Sequence, residues 1–285
     1  MVPARRLRYA PPMQHAPASW VVDPADPRAP PQEIWDEMTP AERQRVVDSL
    51  PSELEISQAH PPEGDFHFEA KAAAKDTLRG YFQRIGRPVY VACELPVYYP
   101  KEPLFAPDVI AVRDVELKHR MSWTVSSEGK GLDLALEVLW AGRAKKDLEE
   151  NVARYAALGI PEYFVFDRRR LRLRGYRLPS PTAKRYQPIL PQEGRLASAV
   201  LDLELGIEGE TLRFYHGLAP LPEAGELIAR LGSMVGDLET RMEEAERRSE
   251  ETERRIEEAE RALAEERSKL AEALAEIDRL KRERP

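Results

Sequence analysis

Two acids stand where an apolar strand has little use for them. Glu137 interrupts the run "LALEVLW", and Asp108 follows Pro107 at the start of "DVIAVRD". A carboxylate set in an apolar segment neutralises, pairs with a cation or binds a metal. Two such carboxylates on adjacent strands, aimed at one sheet edge, would form an oxygen site for Mg²⁺. That hard ion takes one or two carboxylates and fills its shell with waters and phosphate oxygens. Against a phosphodiester it generates hydroxide from water and stabilises the leaving oxygen. Plainer readings stand beside this one. Glu137 could face solvent or pair with an arginine, and Asp108 could hydrogen-bond the turn that Pro107 makes. Glu69, in "FHFEAKAAAK", is a third candidate acid whose ordinary reading is a solvated helix charge.

The elements that must position these residues follow from periodicity. Residues 66–85 carry Ala70, Ala73, Ala74, Thr77, Leu78, Tyr81 and Phe82 at helical spacing, and "GRP" from Gly86 ends the pattern. Strand candidates are residues 89–99, 105–114, 132–140 and 161–167, rich in β-branched and aromatic side chains. A helix over about 145–158 separates the last two and closes at Gly159. "LRLRGYRL" (171–178) alternates Leu and Arg as a half-exposed strand does, so Arg172 and Arg174 share a face suited to a solvated edge or to a phosphate backbone. The stretch "SAVLDLELGIEGETLRFY" reads as one or two edge strands. Upstream, Thr39, Pro40 and Glu42 spell a capping box with proline in the first turn, which predicts a short satellite helix.

The bulk composition sets outer limits. Charged residues make up 33% of the 285, above the roughly 25% of globular chains, so part of the chain is a solvated, charged segment. The tail supplies it. From Leu231 to Leu280 the residues Leu231, Val235, Leu238, Met242, Ala245, Ser249, Thr252, Ile256, Ala259, Leu263, Glu266, Leu270, Ala273, Ile277 and Leu280 alternate spacings of four and three, with Glu and Arg around them. That is a heptad seam, which predicts a coiled coil, with a single helix held by i,i+4 pairs as the alternative. Residues 1–35 are rich in Pro and Ala and read as disordered, 36–220 as the core and 223–285 as the coiled coil. The net charge of −7 does not advertise nucleic-acid binding. Cys93, the single cysteine, excludes an internal disulfide and a cysteine zinc site. No run is long and apolar enough for a membrane span and no secretory signal appears, so a cytoplasmic location is expected.

The ordered set "PDVIAV", "SSEGKGLDLALEVLW" and "KDLEENVARYAALGIPEYFVFDRRRLRLRGYRL", over roughly residues 55–215, closely resembles the Uma2 family, also called DUF820, of the PD-(D/E)XK nuclease superfamily. The resemblance implies an α/β, restriction-endonuclease-like core with a mixed sheet flanked by helices, followed here by the long C-terminal helix. It implies Asp108 and Glu137 as metal ligands for Mg²⁺ (or Mn²⁺), with His67 or Glu69 as helix-borne accessories and DNA as substrate. The sequence departs from the pattern twice. The superfamily's lysine lies two residues after the acid, where this chain has Leu139. The family's lysine four residues after its aspartate (Asp147) is Asn151 here. Lys145, Lys146 and Lys130 are the displaced candidates, each otherwise a solvated lysine. The expected function is a metal-dependent endonuclease, paired as a homodimer or with another coiled-coil partner. The alternatives are a catalytically impaired binding module that uses the coiled coil to recruit a partner, and a purely structural oligomerisation protein.

Overall fold

The structure is a computed structural model that describes residues 20–52, 65–139 and 146–282. It divides into two units, residues 1–224 and 225–285. In the first unit, α1 (Gln32–Glu37) and α2 (Pro40–Ser49) precede the long α3 (Asp65–Arg84). The strands β1 (Val89–Cys93), β2 (Val97–Tyr98), β3 (Val109–Arg113) and β4 (Trp123–Thr124) follow, then α4 (Val125–Glu128) and β5 (Leu134–Leu139). A wide helical turn over Lys146–Glu150 runs into α5 (Asn151–Leu158), before β6 (Glu162–Asp167), β7 (Arg172–Arg177) and β8 (Gln187–Pro188). A last group, β9 (Leu196–Ser198), β10 (Leu203–Glu208), β11 (Thr211–His216) and β12 (Ala219–Pro220), precedes α6 (Ala224–Arg282).

The main sheet has six strands in the order β1-β3-β5-β6-β7-β8. Only β5 and β6 run parallel, joined through α5, so the sheet is mixed. Both faces of the central strands are covered, and β3, β5 and β6 are accordingly buried along most of their length, whereas β7 towards the edge alternates with exposed arginines. Val109 and Ala111 of β3, with Leu134, Leu136 and Val138 of β5, face Ala74, Leu78 and Phe82 of α3. The intervening Ile110, Val112 and Ala135 face Tyr155 of α5, together with Tyr99, Phe105 and Trp123. Period two in the strands thus assigns Glu137 to the α5 side.

Three local expectations need adjustment. Residues 89–99 do not form one strand: the chain breaks after Cys93, and Glu94 takes a left-handed conformation with φ 49°. The segment near 200–215 does not extend the main sheet's edge. It builds a separate antiparallel sheet, β12-β11-β10-β9, because Leu203, Leu205, Leu212 and Phe214 all join the α3-side core. The stretch after Trp20 carries Ala29 and Trp35, both buried; residues 1–19 lie outside the described residues. The capping box at α2 forms as written, with Glu42 accepting from the Thr39 N–H at 2.8 Å while Thr39 Oγ1 accepts from the Glu42 N–H.

One acid welds the two sheets together. Glu162 of β6 is almost fully buried. It accepts from Arg177 Nε at 2.6 Å, Ser198 Oγ at 2.5 Å and the Ala199 N–H at 2.9 Å. Removing it takes the acceptor from the buried Ser198 hydroxyl and the buried Val200 N–H (3.4 Å) and breaks the Arg177 pair, a loss that is costly where the donors are buried. Glu162→Ala is therefore expected to lower the unfolding free energy by about 2–4 kcal/mol, read by urea denaturation. A loss below about 1 kcal/mol would deny the acid this role.

The second unit is one helix, α6, of 59 residues. No helix among the described residues is long and apolar enough to cross a membrane.

Candidate metal centre

The register of the β3–β5 ladder explains why two acids meet. Ala111 pairs with Leu134, Ile110 with Ala135 and Val109 with Leu136. One step further, the antiparallel count sets Asp108 opposite Glu137. There the ladder's backbone bonds give way to side-chain bonds that strap each acid to the other's strand. The Asp108 N–H donates to Glu137 Oε2 at 3.2 Å, and the Val138 N–H donates to Asp108 Oδ2 at 2.7 Å.

The α5 side orients Glu137. Tyr155 donates its hydroxyl to Glu137 Oε1 at 2.9 Å, and Asn151 Nδ2 reaches the same oxygen at 3.3 Å. Asn151 also donates to Asp147 Oδ1 at 2.9 Å, and Tyr163 donates to the Asp147 carbonyl at 2.9 Å. All of these donors are neutral. The other buried acids are treated differently: Asp133 has Lys130 at 2.9 Å, Asp167 has Arg170 at 3.1 Å and Glu162 has Arg177. Among the described residues Glu137 alone of these four has no cationic partner. Its carboxyl is held well above the ordinary range, chiefly by burial and then by the charges of Asp108 and Asp147.

The cations of the site come from α3, on the Asp108 side. His67 Nε2 lies 3.2 Å from Asp108 Oδ2. Lys71 Nζ lies 3.8 Å from Asp108 Oδ1 and 2.5 Å from Glu94 Oε1. Lys71 is only 2% exposed. Sequence reasoning passed over it because "AKAAAK" reads as a solvated helix. The signal was there: His67, Lys71, Ala74, Leu78 and Phe82 are spaced by four, three, four and four, so Lys71 sits in the stripe that α3 turns to the core.

The remaining candidates disperse. Glu69 is exposed on α3, on the face opposite the stripe. Lys130 is occupied elsewhere, bonded to Asp133 and to the Arg113 carbonyl at 2.5 Å. Lys146 is exposed, close enough for its charge to act on Asp147. Lys145 lies outside the described residues. Leu139 joins the apolar cluster of Leu148, Val152 and Tyr155, so the position two residues after Glu137 is spent on packing. Arg172 and Arg174 are exposed on β7.

Crowded acids make stability depend on pH. Burial pushes the Asp147 carboxyl up to about 6, opposed by Lys146, reinforced by Asp108, and opposed more weakly by Asn151 and His67. A raised carboxyl favours the protonated folded form. Its contribution to stability is therefore whole below the ordinary value of 3.8 and is lost as pH rises through about 6. In EDTA, the melting temperature of the wild type is expected to fall relative to Asp147→Asn across that window. The amide cannot ionise, and its oxygen keeps the Asn151 bond. Parallel melting curves for the two proteins would show that Asp147 carries no such penalty.

The sequence model of the Uma2 family, described as "Putative restriction endonuclease", matches residues 53–213. Among solved structures, a nuclease from Anabaena variabilis ATCC 29413, titled as putative and assigned to DUF820, is similar at 13% identity. The match covers 54% of this chain and 89% of that one, with a TM-score of 0.40. No curated protein matches. The family match spans more than half of the chain and takes in α3, both acids and the β5-α5-β6 unit that frames them, so the chain belongs to the Uma2 family.

Proposed function

We propose that this chain is an endonuclease that hydrolyses DNA phosphodiester bonds with Mg²⁺ or Mn²⁺ held by Asp108 and Glu137. The observation that carries this reading is the buried Glu137 carboxylate, set opposite Asp108 and beside Asp147 with no cation to balance it among the described residues. A divalent ion supplies that missing charge. The donor chemistry suits it, since both acids offer hard oxygens. Among the described residues no three His, Cys, Asp or Glu side chains gather into a cage, which fits an ion that keeps several waters and shares phosphate oxygens. When bound, such an ion activates water and polarises the scissile phosphate. The family's description points the same way by analogy.

The chain's own residues do the rest. Tyr155 and Asn151 fix the rotamer of Glu137, and the Val138 N–H fixes Asp108. Lys71 brings an ammonium to within 3.8 Å of Asp108. There it can hold a phosphate oxygen and stabilise the charge that develops on it, the task that Leu139 and Asn151 cannot perform. His67 steadies the same carboxylate from the α3 side.

The test is cleavage of supercoiled, linear and single-stranded DNA with Mg²⁺ or Mn²⁺. EDTA, Asp108→Asn or Glu137→Gln is expected to abolish cleavage. Lys71→Met keeps the shape of the buried stem and is expected to cost about 10²–10³ in rate while calorimetric Mg²⁺ affinity stays close to that of the wild type. Cleavage that survives EDTA or Asp108→Asn would overturn the reading. Mg²⁺ binding without any cleavage would make the core a binding module instead.

A further inference from the structure

The helix α6 carries an apolar seam that nothing on the helix itself can cover. Leu231, Val235, Leu238, Met242, Ile256, Leu263, Leu270 and Ile277 are between 46% and 63% exposed. At 1.5 Å per residue the helix is about 90 Å long, and its seam repeats every seven residues. The flanking charges carry a second pattern. With Val235, Met242, Ser249 and Ile256 in the first core position of the heptad and Leu231, Leu238, Ala245, Thr252 and Ala259 in the other, Arg241, Arg248 and Arg255 stand just before Met242, Ser249 and Ile256. Glu239, Glu246, Glu253 and Glu260 stand just after Leu238, Ala245, Thr252 and Ala259, so the pattern occupies the middle heptads of the helix.

We infer that α6 is a self-recognition element that pairs two copies of this chain as a parallel, in-register coiled coil. In that arrangement each flanking residue before a core position meets the partner's flanking residue five places on. Arg241 then meets Glu246 of the second copy, Arg248 meets Glu253 and Arg255 meets Glu260. Twofold symmetry repeats all three pairs. An antiparallel pairing sets arginine against arginine and glutamate against glutamate along the same stretch, which is repulsive. The three pairs bracket Ala245, Ser249 and Thr252, where the seam is poorest in apolar area. Charge thus fixes orientation where hydrophobic contact is weakest, and the leucine-rich ends supply adhesion. The bond that Arg248 makes to Glu244 of its own helix at 3.3 Å is fully exposed and does not compete seriously. Valine and isoleucine occur in the seam only at the first core position, as Val235, Ile256 and Ile277, with leucine or alanine common at the second; this favours two strands over three.

The experiment uses the full chain. Sedimentation equilibrium at micromolar concentration is expected to give about 65 kDa, twice the 32.5 kDa of one chain. In a Cys93→Ser background, Ala245→Cys is expected to form an intermolecular disulfide on mild oxidation, because the parallel in-register pairing sets residue 245 against itself whereas a fully overlapped antiparallel pairing does not. Arg241→Glu/Arg248→Glu/Arg255→Glu and Glu246→Arg/Glu253→Arg/Glu260→Arg should each weaken self-association at least tenfold. Their equimolar mixture should restore a dimer, which separates lost pairing from lost folding. A monomeric wild type, a larger assembly, or a dimer that fails to cross-link at residue 245 would overturn the inference.

Discussion

The point where β3 and β5 stop exchanging backbone bonds and begin exchanging side-chain bonds governs the first unit. The register that pairs Val109 with Leu136 places Asp108 opposite Glu137, and each acid takes an N–H from the other's strand. Two carboxylates are thereby held together by the sheet itself and not by flexible side chains. Everything nearby serves that placement. The parallel β5-α5-β6 crossover brings Tyr155 and Asn151 onto one face, and α3 brings Lys71 and His67 to the Asp108 side.

The molecule treats its buried acids in two ways, and the contrast separates structure from chemistry. Glu162 is saturated by Arg177, Ser198 and backbone, and joins two sheets. Glu137 receives only neutral donors and sits beside two further carboxyl groups. An arrangement that raises the energy of the ionised folded state marks Glu137 as a candidate for chemistry, not for packing. Asp147 is affected in the same direction, since its burial delays ionisation until pH rises through about 6.

In the proposed reading, Lys71 supplies from α3 the charge that the positions of Leu139 and Asn151 lack. The residue after next from Glu137 packs as Leu139, and Asn151 ties two acids together. The cation instead rises from a different element, buried along its stem and anchored by Glu94. Glu94 reaches it from a left-handed backbone position whose N–H is fixed by the carbonyls of Pro107 and Asp108. The break in the β1–β2 segment is thus part of the same corner.

The mixed α/β core followed from the family resemblance, while the sequence by itself determined the principal helices and strands, the two acids that interrupt them and the heptad period of the tail. These are properties of local pattern: Glu137 and Asp108 interrupt apolar strands, and the capping box at Thr39 is written within four residues. Only the tertiary structure decided which cation faces the acids, because that depends on how α3 is rotated against the sheet. The period of α3 placed Lys71 in its buried stripe, but only its packing against β1 and β3 brought the stripe's end to Asp108. It likewise decided that β9 to β12 form their own sheet, since the pairing of strands distant from the core is set by which faces must be covered, a demand that no local run of residues contains.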